Sequence, residues 1–140
     1  MKTFSLAEAE KLAQEHYLIN SVASTLNGYD EQNFLLETNE GKKFVLKIAT
    51  DAHNYYFLDA QVKIINHLSE STLNGKFQHF VLNGEGTEIT RISIDNTNYY
   101  LRILTYLEGT FWVDQSSKKD NLYHELGSFL GQMDKALENF

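Results

Sequence analysis

The chain has 140 residues, 42% of them apolar, and contains neither cysteine nor proline. One domain of this length buries roughly two thirds of its unfolded surface and needs no disulfide or structural metal to hold a core. Without cysteine, zinc fingers, iron–sulfur clusters and thiol nucleophiles are excluded. The 19 acidic side chains against 12 basic ones give a formal charge of -7, which repels phosphate backbones and anionic lipid and favours small molecules and proteins as partners.

The N-terminus meets charge at Glu8, Glu10 and Lys11 before any apolar stretch of signal-peptide length, and no run approaches the ~20 apolar residues of a membrane span. A cytoplasmic domain is the expectation. Ser5 and Glu8 have capping-box spacing, and Leu6, Ala9 and Ala13 recur at helical intervals, so a helix is predicted from Ser5 to His16. Three strand patterns follow, Tyr17 to Leu26, Asn33 to Thr38 and Lys42 to Ala49, punctuated by Asn27-Gly28 and Asn39-Glu40-Gly41 as in consecutive antiparallel hairpins. Helical spacing returns between Asn54 and Ser69. Two more strands, Glu88 to Ile94 and Tyr99 to Leu107, are joined by the turn-rich Asp95-Asn96-Thr97-Asn98. Thr110 to Ser117 reads as a linker, and a last helix from Lys118 to Leu137 carries a stripe of Leu122, Leu126, Phe129, Leu130, Met133 and Leu137. This order predicts an α+β fold: a five-stranded antiparallel sheet with one packed helix, plus an N-terminal and a C-terminal helix. Strands and crossover helices do not alternate, which excludes a doubly wound fold.

Two residues contradict their surroundings. Lys47 interrupts Phe44-Val45-Leu46-Lys47-Ile48, a strand otherwise apolar on both faces, so it either snorkels to solvent or meets a negatively charged ligand. Gln61 falls in the helical stripe Phe57, Gln61, Ile64, Ile65, Leu68. A buried amide needs a partner, and a loose backbone carbonyl is the bland one. The segment Leu26 to Asn33, with its single Gly28, is either a surface hairpin or a loop folded over a ligand's phosphates, and no GxxxxGK[ST] occurs. His16, His53, His67, His79 and His124 share no metal-ligand spacing, no G-x-S-x-G elbow is present, and Asp30-Glu31 reads as solvated loop charge.

A strand lysine, a helix behind it, two further strands and a linker make the layout of a kinase-type N-terminal lobe. In detail the chain resembles the aminoglycoside phosphotransferase and choline kinase superfamily, in its hydroxylysine-kinase-like branch. Leu26 to Leu36 is similar to that family's nucleotide loop and second strand, Phe44 to Ile48 to its lysine strand, Arg102 to Gly109 to its hinge, and Leu126 to Asp134 to the first helix after the hinge. The resemblance implies a nucleotide-binding lobe over residues 1–109, followed in 110–140 by the linker and first helix of a truncated C-terminal lobe. It implies ATP, with magnesium held by the missing lobe, and an amine-bearing small-molecule substrate in the parent protein. Lys47 would contact the α and β phosphates, Gly28 to Asn33 would cover them, and the main chain of Thr105, Tyr106 and Leu107 would bind adenine.

Two departures matter. Gln61 occupies the place where the family commonly has a glutamate paired with the lysine, and Asp59, about 200° away around the helix, is a poor substitute. No HxD-type loop or magnesium aspartate follows the hinge, so the chain alone is expected to transfer no phosphate. With the helix carboxylate missing, Lys47 and Gln61 are expected to face each other across the sheet–helix layer, with the Gln61 side-chain oxygen or an ordered water within hydrogen-bonding reach of the Lys47 ammonium. The apolar stripe of the last helix is expected to fold back on the sheet or to form a homodimer. The rival class is a noncatalytic kinase-like module for regulation or docking.

Overall fold

The computed structural model describes residues 2–51, 54–114 and 120–140. Helix α1 (Leu6–Tyr17) precedes strands β1 (Val22–Leu26), β2 (Gln32–Glu37) and β3 (Lys43–Thr50). Helix α2 (Tyr55–Ser69) is followed by β4 (Phe80–Val81), β5 (Thr90–Ile94) and β6 (Thr97–Thr105), a single 3-10 turn at Trp112–Asp114, and α3 (Asp120–Leu137). The sheet is antiparallel in the order β1-β2-β3-β6-β4, and β5 shares the same edge of β6 with β4. The α+β architecture is the one read from the sequence, with the two-residue β4 as an added sixth strand.

Alternation along the strands gives the sheet two different faces. Phe34, Leu36, Leu46, Ile48, Leu101 and Ile103 point one way and pack with Phe4, Ala9, Ala13 and Tyr17 into the main core under α1. On the opposite face Ala49 and Tyr100 pack with Leu58 of α2. Both faces therefore carry a helix. The α2 side is covered less completely, since Asn33, Leu35, Val45 and Lys47 are only half-buried there.

Several boundaries move for identifiable reasons. Tyr17 is the last residue of α1 and not the start of a strand. Its hydroxyl donates to the Leu101 carbonyl at 3.0 Å and so ties the helix beneath β6, and Leu18 closes the helix in the left-handed region at φ 58°. Asp95 and Asn96 both have positive φ, 48° and 61°, which makes a two-residue primed turn and leaves Thr97 and Asn98 in β6. The stripe read for α2 is rotated by about one residue: Phe57 is exposed, while Leu58, Val62 and Leu68 are buried. The segment 27–31 is longer than the hairpin turn that Asn-Gly suggests. Of the linker and last helix, residues 115–119 lie outside the described residues. Helix α3 does not fold onto the sheet. It lies beside α2 and the segment that follows it: His67 Nε2 of α2 is 2.7 Å from the Ala136 carbonyl, and Phe77, ahead of β4, meets Phe129 with ring centroids 5.5 Å apart, with Leu126 and Leu130 exposed. No helix among the described residues is long and apolar enough to cross a membrane.

Candidate nucleotide site

The half-open face of the sheet is built around three adjacent strands. In register, Asn33 of β2 pairs with Lys47 of β3, and Lys47 with Arg102 of β6. Directly paired residues project on the same side of a sheet, so all three side chains rise toward α2. Arg102 belongs to β6, an inner strand flanked on both sides, and is only 1% exposed. An ionised group at such depth requires paired charge and hydrogen bonds, and both are present.

One terminal nitrogen of Arg102 donates to Gln61 Oε1 at 2.6 Å, and the other donates to Glu31 Oε1. The second oxygen of Glu31 lies 2.9 Å from Lys47 Nζ. Burial lowers the Arg102 pKa, and the Glu31 carboxylate opposes that fall. The Arg102 Nε is buried without a partner among the described residues. Side-chain exposure grades outward along the chain of contacts, from Arg102 at 1% through Glu31 at 12% to Lys47 at 33%.

This geometry corrects the expectation that Lys47 and Gln61 contact each other. Both do face the sheet–helix layer, but the Gln61 oxygen is taken by Arg102, and a carboxylate does oppose Lys47. It comes from the β1–β2 loop instead of the helix, and Glu31 is no solvated loop charge. Asp59 turns away to Lys63 at 2.6 Å.

The loop carrying Glu31 is tightly closed. A Cβ on Gly28 would lie 2.1 Å from the Glu31 carbonyl and 2.6 Å from Asn33 Nδ2, so only glycine fits without backbone movement. Asn33 Nδ2 reaches the Asn27 carbonyl at 3.3 Å, and Asn33 Oδ1 is buried with no partner among the described residues. Gln32 points to the other face, where its amide holds the N-terminal segment through the Lys2 carbonyl and the Phe4 N–H, each at 2.8 Å.

At the end of β6, Thr105 spends its N–H on the His79 carbonyl and its carbonyl on Gln78 Nε2, and Tyr106 donates its N–H to the Lys43 carbonyl. Leu107 is exposed, and its peptide groups take no hydrogen bond among the described residues. The sequence flagged Lys47 and Gln61 as anomalies but passed over Arg102, although Tyr100-Leu101-Arg102-Ile103-Leu104 carries the same signal, a cation inside a continuous apolar run.

A cleft of about 850 Å³ lies elsewhere, between the C-terminal end of α1, the start of α2 and β5. Glu15, Asp59, Glu85 and Glu88 line it, and four carboxylates against His16 and Arg91 make poor company for a polyphosphate. The Lys47 face carries the opposite balance, two cations sharing one carboxylate. Among the described residues no three His, Asp or Glu side chains converge as metal ligands.

No known protein-family profile matches the chain. Hydroxylysine kinase of Danio rerio is 31% identical to it over 124 residues, 86% of this chain and 35% of the relative. The chain thus spans about a third of the length of the curated relative it matches. Among solved structures, amicoumacin kinase in complex with AMP-PNP, Ca2+ and Ami superposes with a TM-score of 0.72 at 17% identity, covering 84% of this chain and 35% of its own. A microcompartment-associated aminopropanol kinase superposes with a TM-score of 0.73 at 16% identity, covering 97% and 42%. The structural likeness shows the fold, that of small-molecule kinases. Together with the sequence relative it supports the resemblance to the N-terminal lobe of the aminoglycoside phosphotransferase and choline kinase superfamily.

Proposed function

We propose that this chain is the nucleotide-binding lobe of an ATP-dependent small-molecule kinase whose acceptor is a hydroxyl on an amine-bearing metabolite. The observation that carries the reading is Lys47, a strand lysine presented on a half-open sheet face beside a close-packed loop, within a cluster holding one more positive than negative charge. In this reading the Lys47 ammonium meets the α and β phosphates, and the segment Gly28 to Asn33 lies over them. The unpaired buried Asn33 Oδ1 sits at the edge of that segment as an acceptor for a ligand or water. Adenine binds to the main chain at the end of β6. Since the N–H groups of Thr105 and Tyr106 are already spent, Leu107 supplies the free main-chain donor.

Magnesium would neutralise developing charge on the transferred phosphoryl group. The described residues do not gather a ligand set for it. This chain's own part is to bind, orient and partly neutralise the nucleotide. Titration calorimetry of the 140-residue chain with ATP and with adenosine tests the reading. ATP should bind more tightly than adenosine, and Lys47→Ala should remove most of that difference, at least tenfold in Kd, about 1.4 kcal/mol. Equal affinity of the two ligands, or no effect of Lys47→Ala, refutes it.

A further inference from the structure

We infer that Glu31, held in place by Arg102, is the positioning carboxylate of Lys47 and takes over from the β1–β2 loop the role that a carboxylate on α2 would have. The inference rests on the nucleotide reading of Lys47 and gives a definite role in it to Glu31, which the sequence presented only as loop charge.

Three observations converge. The first is connectivity: one guanidinium joins three elements, donating to Glu31 of the loop and Gln61 of α2 from its own place on β6, and Glu31 passes the anchorage on to Lys47 at 2.9 Å. The second is the gradient of burial. Arg102 is inaccessible and fixed among packed strands, whereas Lys47 is the one member with a third of its side chain open. A long lysine gripped by a fixed carboxylate loses rotamer freedom before a ligand arrives, which is the benefit of preorganisation.

The third is charge. Arg102 and Lys47 together carry two positive charges against the single negative charge of Glu31. An anion approaching Lys47 therefore finds a net attraction without having to displace Glu31, whose other oxygen stays on Arg102. A glutamate at position 61 would cancel this surplus. Neutral Gln61 satisfies the guanidinium through its carbonyl oxygen and adds no charge. On this account the absence of a helix carboxylate and the presence of Arg102 in the sheet are two halves of one arrangement. It also makes loop and lysine a single unit, because the backbone of Glu31 itself closes against Gly28.

The test separates positioning from mere neutralisation of Arg102. Variants Glu31→Gln, Arg102→Met and Glu31→Gln combined with Gln61→Glu are compared with the unaltered chain in thermal stability, in ATP affinity, and in the side-chain ammonium NMR resonance of Lys47, assigned by its loss in Lys47→Arg. Glu31→Gln should broaden or shift that resonance and weaken ATP binding at least tenfold. Arg102→Met should loosen Glu31 and weaken ATP binding several-fold. The double variant returns a countercharge to Arg102 but not to Lys47, so it should regain stability while ATP affinity and the resonance stay impaired.

Recovery of all three readouts in the double variant would show that Glu31 only balances Arg102, and would overturn the inference. So would an unchanged Lys47 resonance in Glu31→Gln. If Glu31→Gln does not fold, Arg102→Met carries the same two readouts, and no change in either has the same consequence. A chain that binds no ATP at all refutes the nucleotide reading, and the ammonium resonance then still decides whether Glu31 positions Lys47. ATP binding that depends on Lys47 but not on Glu31 or Arg102 leaves the nucleotide reading standing and removes this inference alone.

Discussion

At the residue scale, the buried cluster predicts an asymmetry between its partners. Removing Glu31 strands a guanidinium that is 1% exposed, and breaking a buried ion pair in this way costs roughly 3 to 5 kcal/mol. Removing the cation costs less, because Glu31 keeps Lys47 as a partner and Met fills most of the vacated volume. Urea unfolding should therefore place Glu31→Ala well below Arg102→Met in stability, and the reverse order would mean that the guanidinium finds other compensation. Sequence reasoning reached part of this cluster. Lys47 and Gln61 were legible because each violates the pattern of its own element. Glu31 was not, since a loop carboxylate beside Asp30 has no periodicity to violate, and its role arises only when the loop folds over the sheet. Arg102 could have been found by the test applied to Lys47.

At the scale of single elements, α1 shows how local signals and tertiary contacts divide the work. Its start was legible from Ser5 and Glu8, and the full capping box is present. The Glu8 carboxyl is held down to about 2 from 4.5, first by its contact with Lys2 and then by the backbone and side chain of Ser5. A depressed carboxyl stabilises the fold above its unfolded pKa and loses that contribution as pH falls through the folded one. The difference in urea midpoint between the unaltered chain and Glu8→Gln should thus be complete above pH 4.5 and vanish near pH 2. A difference that persists at pH 2 would mean the contact does not depend on charge.

The end of α1 was misread because Tyr17 is a good strand former whose place is fixed by a hydroxyl contact to Leu101, 84 residues away. At the cap, Leu18 holds a left-handed conformation at φ 58° while 79% exposed. That conformation costs a branched L-residue about 1 to 2 kcal/mol, partly offset against glycine's greater loss of backbone freedom. Leu18→Gly should therefore stabilise the chain by about 0.5 to 1 kcal/mol, read as an increase in urea midpoint at constant slope. A loss of stability would show that the exposed leucine makes contacts worth more than the strain. The rotated face of α2 has a similar origin. Phe57 and Leu58 are equally apolar, and only docking against Tyr100 selects Leu58.

At the scale of the whole molecule, the consecutive hairpins and the α+β class followed from turn residues and alternation, whereas the pairing of β3 with β6 is a long-range contact that no local pattern displays, and the short β4 has too few residues to show a period. Which sheet face stays partly open was also invisible, since it depends on where α2 lies across the strands. That open face is the basis of the functional account. The large acidic cleft on the opposite edge is the competing location for a ligand, and charge argues against a polyphosphate there. The most direct discrimination between the two is a backbone amide NMR titration of the chain with ATP. The account predicts that the largest shifts fall on Gly28 to Asn33, Lys47 and Leu107, with the residues around Glu15, Glu85 and Glu88 unchanged; shifts concentrated on that acidic cleft, with Lys47 and its loop unaffected, would contradict it.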